Sequence, residues 1–168
     1  MERVNLDDER WDERRERAGY AWRRRGLGGP LGGELLGASL YELASGQATW
    51  PYHWHWANEE LLVVVAGTPT LRDPGGEREL GPADVTLFPR GPRGAHQIVN
   101  RSDAPARVLM VSTTLHPEVA EYPDDGTILL AAGAPPTPGL TAPFERVFRK
   151  HDAVDHWEDA SGPTTGPA

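Results

Sequence analysis

The sequence predicts a single all-β domain of barrel or sandwich type. Three observations carry that expectation. From Tyr20 to Thr114, short runs of β-forming residues recur between Gly, Pro and Asp at spacings of roughly 8 to 12 residues. Glycine and proline number 19 and 16 among 168 residues, which argues against long helices, and they follow no collagen-like period. A hydrophobic fraction of 38% in a chain of this length can bury one sizeable core but not two.

Taken in order, residues 1–19 form an N-terminal arm dense in charges of both signs. Within it, residues 5–18 read as a short polar helix, with Asp7 or Asp8 at its N-cap and Trp11 as its one large apolar side chain. The arm lacks the apolar stretch of a signal peptide, so a cytoplasmic location is expected. Residues 20–115 make the barrel, with strands expected at 20–25, 34–43, 48–56, 60–66, 69–72, 77–80, 84–88, 95–100 and 106–114. Asp73-Pro74-Gly75-Gly76 turns a hairpin between two of them. Past Leu115 the alternation weakens, and residues 116–157 read as an extension that crosses the barrel mouth as a lid and docks back. Residues 133–139 are its Pro/Gly-rich linker and 144–157 the docking piece, followed by a disordered tail at 158–168.

Composition narrows the function. A net charge of −8 repels phosphate-rich partners, which disfavours nucleic acid and anionic membrane surfaces. The strongest apolar run, residues 61–66, is far short of the ~18 residues of a membrane span. With no cysteine in the chain, any metal must be held by His, Asp or Glu. A small molecule is the expected ligand.

The informative stretch is Trp50-Pro51-Tyr52-His53-Trp54-His55-Trp56, where aromatic residues and histidines alternate. On a strand, residues i and i+2 share a face ~6.6 Å apart, so His53 and His55 can converge on one ion, whereas on a helix they would diverge. Glu59-Glu60 then offers a carboxylate at the start of the apolar run LLVVVA, which ends at Gly67. Pro89-Arg90-Gly91 turns after VTLF, and His96 opens the run HQIVN. Three neutral imidazoles and one carboxylate suit one divalent transition metal ion, Fe, Mn, Ni, Cu or Zn. The same alternation places Trp50, Tyr52, Trp54 and Trp56 on the opposite face. With Leu61, Val63 and Val65 they would form an apolar exterior that a second copy or the N-terminal strand must cover. Arg72, Arg78, Arg90, Arg93 and Arg107 are candidate anion clamps or solvated rim residues.

Over residues 34–114 the sequence resembles the cupin superfamily. Gly46, His53, His55, Glu60 and Gly67 follow its first motif, with one extra residue after Gly46, and the interval to Gly67 selects Glu60 over Glu59. Pro89, Gly91, His96 and Asn100 follow the second. Ala83 stands where the family has glycine, and the interval from Gly91 to His96 is two residues longer. If that turn needs a left-handed residue, Ala83 is strained. The resemblance implies a double-stranded β-helix, or jelly-roll barrel, with His53, His55, Glu60 and His96 as metal ligands, and usually a homodimer. Relatives include dioxygenases, isomerases, epimerases and ligand-binding modules. Two functions follow as expectations. One is a metal-dependent enzyme, a dioxygenase or isomerase, acting on a small polar metabolite. The other is a non-catalytic module that holds a sugar-like or acidic ligand. Tyr122 and Asp124, beyond the last barrel strand, are candidates for a substrate contact or a general base.

Overall fold

A hairpin opens the chain in the computed structural model, which describes residues 2–132 and 144–158. Strands β1 (Glu13–Arg17) and β2 (Tyr20–Gly26) pair antiparallel around Gly19, whose φ of +81° suits a residue without Cβ. The polar helix expected at 5–18 does not form. A helix there would have only Trp11 to bury, whereas the strand gives its charges cross-strand partners. Glu13 accepts from Arg24 at 3.0 Å, the Arg15 guanidinium lies over the rings of Trp22 and Trp50, and Arg23 covers Trp11.

The chain continues through β3 (Leu36–Leu43), β4 (Trp54–His55), β5 (Glu60–Ala66), β6 (Thr70–Asp73), β7 (Gly76–Glu79), β8 (Val85–Phe88), β9 (Gln97–Val99) and β10 (Ala106–Thr113). Three more strands follow, β11 (Glu118–Tyr122), β12 (Thr127–Ala132) and β13 (Phe144–Arg149). They form three sheets, ordered β1-β2-β3-β10-β5-β8, β13-β12-β11-β4 and β7-β6-β9. Trp22, Tyr41, Leu43, Leu62, Val64 and Val108 of the first sheet meet Leu71 and Ile98 of the third in one core. Alternation sets the two faces of β5: Leu62 and Val64 are 0% and 1% exposed, while Leu61 and Val63 on the reverse face are half-buried. Each such inward side chain contributes roughly 1.5–3 kcal/mol by leaving water. The fold is an all-β jelly roll.

Two strand expectations change. The stretch 48–56 is not one strand, because Pro51 cannot donate to a ladder. Only Trp54–His55 pairs as a strand, with isolated bridges at Ala48–Val99 and His53–His96. The strict alternation of aromatic residues is lost with it. Trp50 turns inward against Trp22 at 5.5 Å between rings, while Trp56 is 48% exposed. The extension past Leu115 is also more regular than expected, since β11 and β12 pair with each other, β11 with β4, and β13 with β12. The expectations for residues 133–139, and for all but the first residue of 158–168, lie outside the described residues.

The outer face of the first sheet carries two apolar rows that cross four strands, Ala38–Val111–Leu61–Leu87 and Leu40–Leu109–Val63–Val85. The N-terminal arm covers one end. Arg25 donates to the Asn5 carbonyl at 3.1 Å, Arg3 to Asp8 line a cleft with Val65, and Leu40 is fully buried. The other end is open, with Leu36, Val85 and Leu87 more than half exposed. Among the described residues no helix is long and apolar enough to cross a membrane.

Candidate metal centre

Backbone pairing brings His53, Glu60 and His96 into one group, and His55 stands beside it on Glu60. His53 and His96 exchange both main-chain hydrogen bonds, at 3.1 and 2.8 Å, which sets their rings 4.7 Å apart. Glu60 begins β5 in an inward row with Gly37, Ser112 and Phe88. His55 lies on β4 opposite Ala120, and its carbonyl accepts from the Gly91 amide at 2.8 Å. One ligand atom each from His53, Glu60 and His96 lie within 4.8 Å of one another. Glu60 Oε2 is 3.1 Å from His96 Nε2 and 3.4 Å from His55 Nε2, and the His55 ring is 4.9 Å from that of His53.

Two imidazoles are aimed by main-chain carbonyls. His53 Nδ1 lies 2.8 Å from the Pro51 carbonyl and His96 Nδ1 lies 2.9 Å from that of Gly94, contacts that fix each ring and turn its Nε2 towards the site. The two extra residues between Gly91 and His96 are taken up by a short 3-10 turn, Pro92–Gly94. Its last residue must be glycine, because a Cβ there would sit 1.7 Å from the Pro89 carbonyl oxygen. Phe88 lies flat on His96 at 3.8 Å, and Tyr122 stacks on His53 at 5.4 Å. Asn100, fully buried, donates to the carbonyls of Leu43 and Ala104 and closes the turn before β10.

The metal-free site pairs a buried carboxylate with buried imidazoles. Burial, then repulsion from His96 and His55, pushes His53 down to about 3, so it is neutral at physiological pH. Burial opposes charge on His55 too, but Glu118 and Glu60 outweigh it and raise the group to about 10. Glu60 is buried as well, yet His55 and His96 hold it well below the usual carboxylate range. His55 Nδ1, His55 Nε2 and Glu60 Oε2 are buried without a hydrogen-bond partner. Unpaired buried polar groups cost about 1–3 kcal/mol each, a penalty that an ion among these atoms would relieve at Nε2 and Oε2. The residues fit a first-row divalent metal.

The two other candidates separate. Tyr122 is beside the imidazoles, and burial, then nearby carboxylates, pushes its hydroxyl up to about 12, so it keeps its proton. Asp124 faces Arg72, which grips it at 2.5 and 3.0 Å and holds its carboxyl below the usual range. Among the candidate clamps, Arg78 pairs with Asp73, and Arg107 with Glu9 and Glu42.

A family model described as the cupin domain matches residues 39–112. The chain is similar to the crystal structure of a sugar phosphate isomerase from a cupin superfamily of Silicibacter pomeroyi, at 30% identity and a TM-score of 0.70, over 79% of this chain and 78% of that one. The chain belongs to the cupin superfamily. It is similar also to a polyketide cyclase from Streptomyces resistomycificus, at 27% identity and a TM-score of 0.56, over 67% of this chain and 79% of that one. A cupin 2 conserved barrel domain protein from Salinispora arenicola shares the fold at 23% identity and a TM-score of 0.50, over 67% and 87% of the two chains. No match is found among curated protein sequences. In this cupin, sequence reasoning misses two buried residues, Asn58 and Glu118, which bond each other behind His55. The available signal is the alternation in Glu118-Val119-Ala120, which places Glu118 and Ala120 on one face of β11.

Proposed function

We propose that this cupin is a metal-dependent enzyme of the isomerase type that acts on a small, oxygen-rich polar metabolite such as a sugar phosphate. The observation that carries this reading is the convergence of His53, Glu60 and His96, with His55 Nε2 3.4 Å from Glu60 Oε2 and both of those atoms left unsatisfied. These four residues would hold the ion, which would supply Lewis-acid polarisation of a substrate carbonyl or hydroxyl. Tyr122 holds a proton at Oη beside His53 and donates it as a hydrogen bond to a substrate oxygen. Phe88 walls one side of His96 and excludes water there. The 30% identity to a protein named sugar phosphate isomerase supports the substrate class. The exposed apolar end of the first sheet supports a homodimer, and the cytoplasm is the proposed compartment.

The test joins elemental analysis of protein purified without added metal or a histidine tag to turnover assays on a panel of sugar phosphates. The expected result is a first-row divalent metal at near one ion per chain and aldose–ketose interconversion without oxygen uptake. Substrate-dependent oxygen uptake would replace this reading with an oxygenase. Metal-dependent ligand binding without turnover would replace it with a binding module.

A further inference from the structure

We propose that Glu118 is a positioning residue for the metal centre, holding His55 through Nδ1 and offsetting the charge of the bound ion. The inference rests on the reading that His53, His55, Glu60 and His96 hold a divalent metal. His53 and His96 are each aimed by a main-chain carbonyl two residues earlier, an acceptor that no substitution removes. His55 has no such carbonyl. Its Nδ1 faces Glu118 Oε1 at 3.6 Å, and Oε1 is fixed by the Trp56 amide at 3.2 Å and the Ala57 amide at 3.5 Å. Asn58 grips the other oxygen, and the residue is 6% exposed. A carboxylate anchored in this way offers a fixed acceptor on which the His55 Nδ1–H closes when its ring settles on an ion.

Charge gives the second argument. A divalent ion among three neutral imidazoles and Glu60 retains one positive charge in a buried site, and an uncompensated buried charge is costly. Glu118 brings the local sum to zero without occupying a coordination position. It also makes the imidazole behind which it stands a more basic ligand.

The probe is Co(II), titrated calorimetrically into metal-free wild type, Glu118→Gln and Glu118→Ala. Proton spectra of each Co(II)-loaded protein follow the exchangeable, hyperfine-shifted Nδ1–H signals of the imidazoles. Co(II) affinity is expected to fall about 10- to 100-fold on losing the carboxylate. In Glu118→Ala the His55 signal should exchange away, while those of His53 and His96 persist. Glu118→Gln keeps the shape and the backbone contacts, and it decides the charge argument if the alanine variant does not fold. A purely structural role would lower the melting temperature of the metal-free variants and leave Co(II) affinity and all three signals as in wild type. That outcome overturns the proposal alone. Wild type that binds no Co(II) overturns both the proposal and the metal-centre reading beneath it.

Discussion

Ala83 occupies the left-handed region with φ +71°, the one non-glycine residue to do so among those described. Its amide is committed to the Val64 carbonyl at 2.9 Å, so the turn before β8 enforces this conformation. Replacing it by glycine should stabilise the fold by about 1 kcal/mol, read from urea or thermal melts; an unchanged midpoint would mean that the turn carries no such strain. The histidines set a second expectation, for the metal-free protein. His53 is depressed to about 3 from 6.5, so its contribution is present above pH 6.5 and is lost as pH falls towards 3. Glu60, lowered from 4.5, adds to that acid loss. His55 is raised to about 10, so its contribution is complete below pH 6.5 and is lost as pH rises towards 10. Melting temperature in chelator should therefore decline on both sides of a maximum near pH 6.5, and His55→Gln should remove the alkaline decline. An identical alkaline slope in that variant would contradict the assignment. His53, Glu60 and His96 stand together as their intervals within the two motifs imply, although the strand that a two-residue period predicts over 48–56 forms only at Trp54–His55. Glu118 was not legible, since it meets His55 only through pairing between segments more than sixty residues apart.

At the scale of elements, β5 was legible because its apolar run is bounded by Glu60 and Gly67, whereas β11 was not. Glu118 and Glu121 sit at buried positions of β11, so its sequence reads as a polar loop until their partners are known. Glu121 accepts from Trp56 Nε1 at 2.8 Å and from Lys150 Nζ at 2.5 Å, just beyond the end of β13. Every residue of β13 is exposed, so the strand is held by its ladder to β12 and by this pin more than by burial. Lys150→Met leaves Glu121 buried without its cation, a larger loss than that of an exposed ion pair. Faster amide exchange in β12 and β13, with β3, β5 and β10 unchanged, is the expected result. Equal acceleration throughout would show that the terminal sheet does not open separately. The N-terminal arm forms a strand and not the expected helix because its alternating Arg and Glu suit a paired strand as well as a solvated helix face, and β2 supplies the partner.

For the whole molecule, the apolar rows of the first sheet matter most. The arm covers the Leu40 end, but Leu36 on β3 and Val85 and Leu87 on β8 stay open beside half-buried Leu61 and Val111, and β8 is an edge strand whose outer side has no partner among the described residues. A contiguous patch of this kind marks an association surface. Light scattering at micromolar concentration should give the mass of two chains, and Leu87→Lys should shift it towards one. A monomeric wild type would refute the homodimer. The contact at Glu121 has a practical consequence for the molecule as a reagent. Lys150 is the only lysine in the sequence, so besides any free α-amine an acylating reagent meets one side-chain target, and that target is engaged while the terminal strand is docked. Acylation there removes the charge that pairs with Glu121, so one added label, counted by mass spectrometry of the intact chain, perturbs this contact without a mutation.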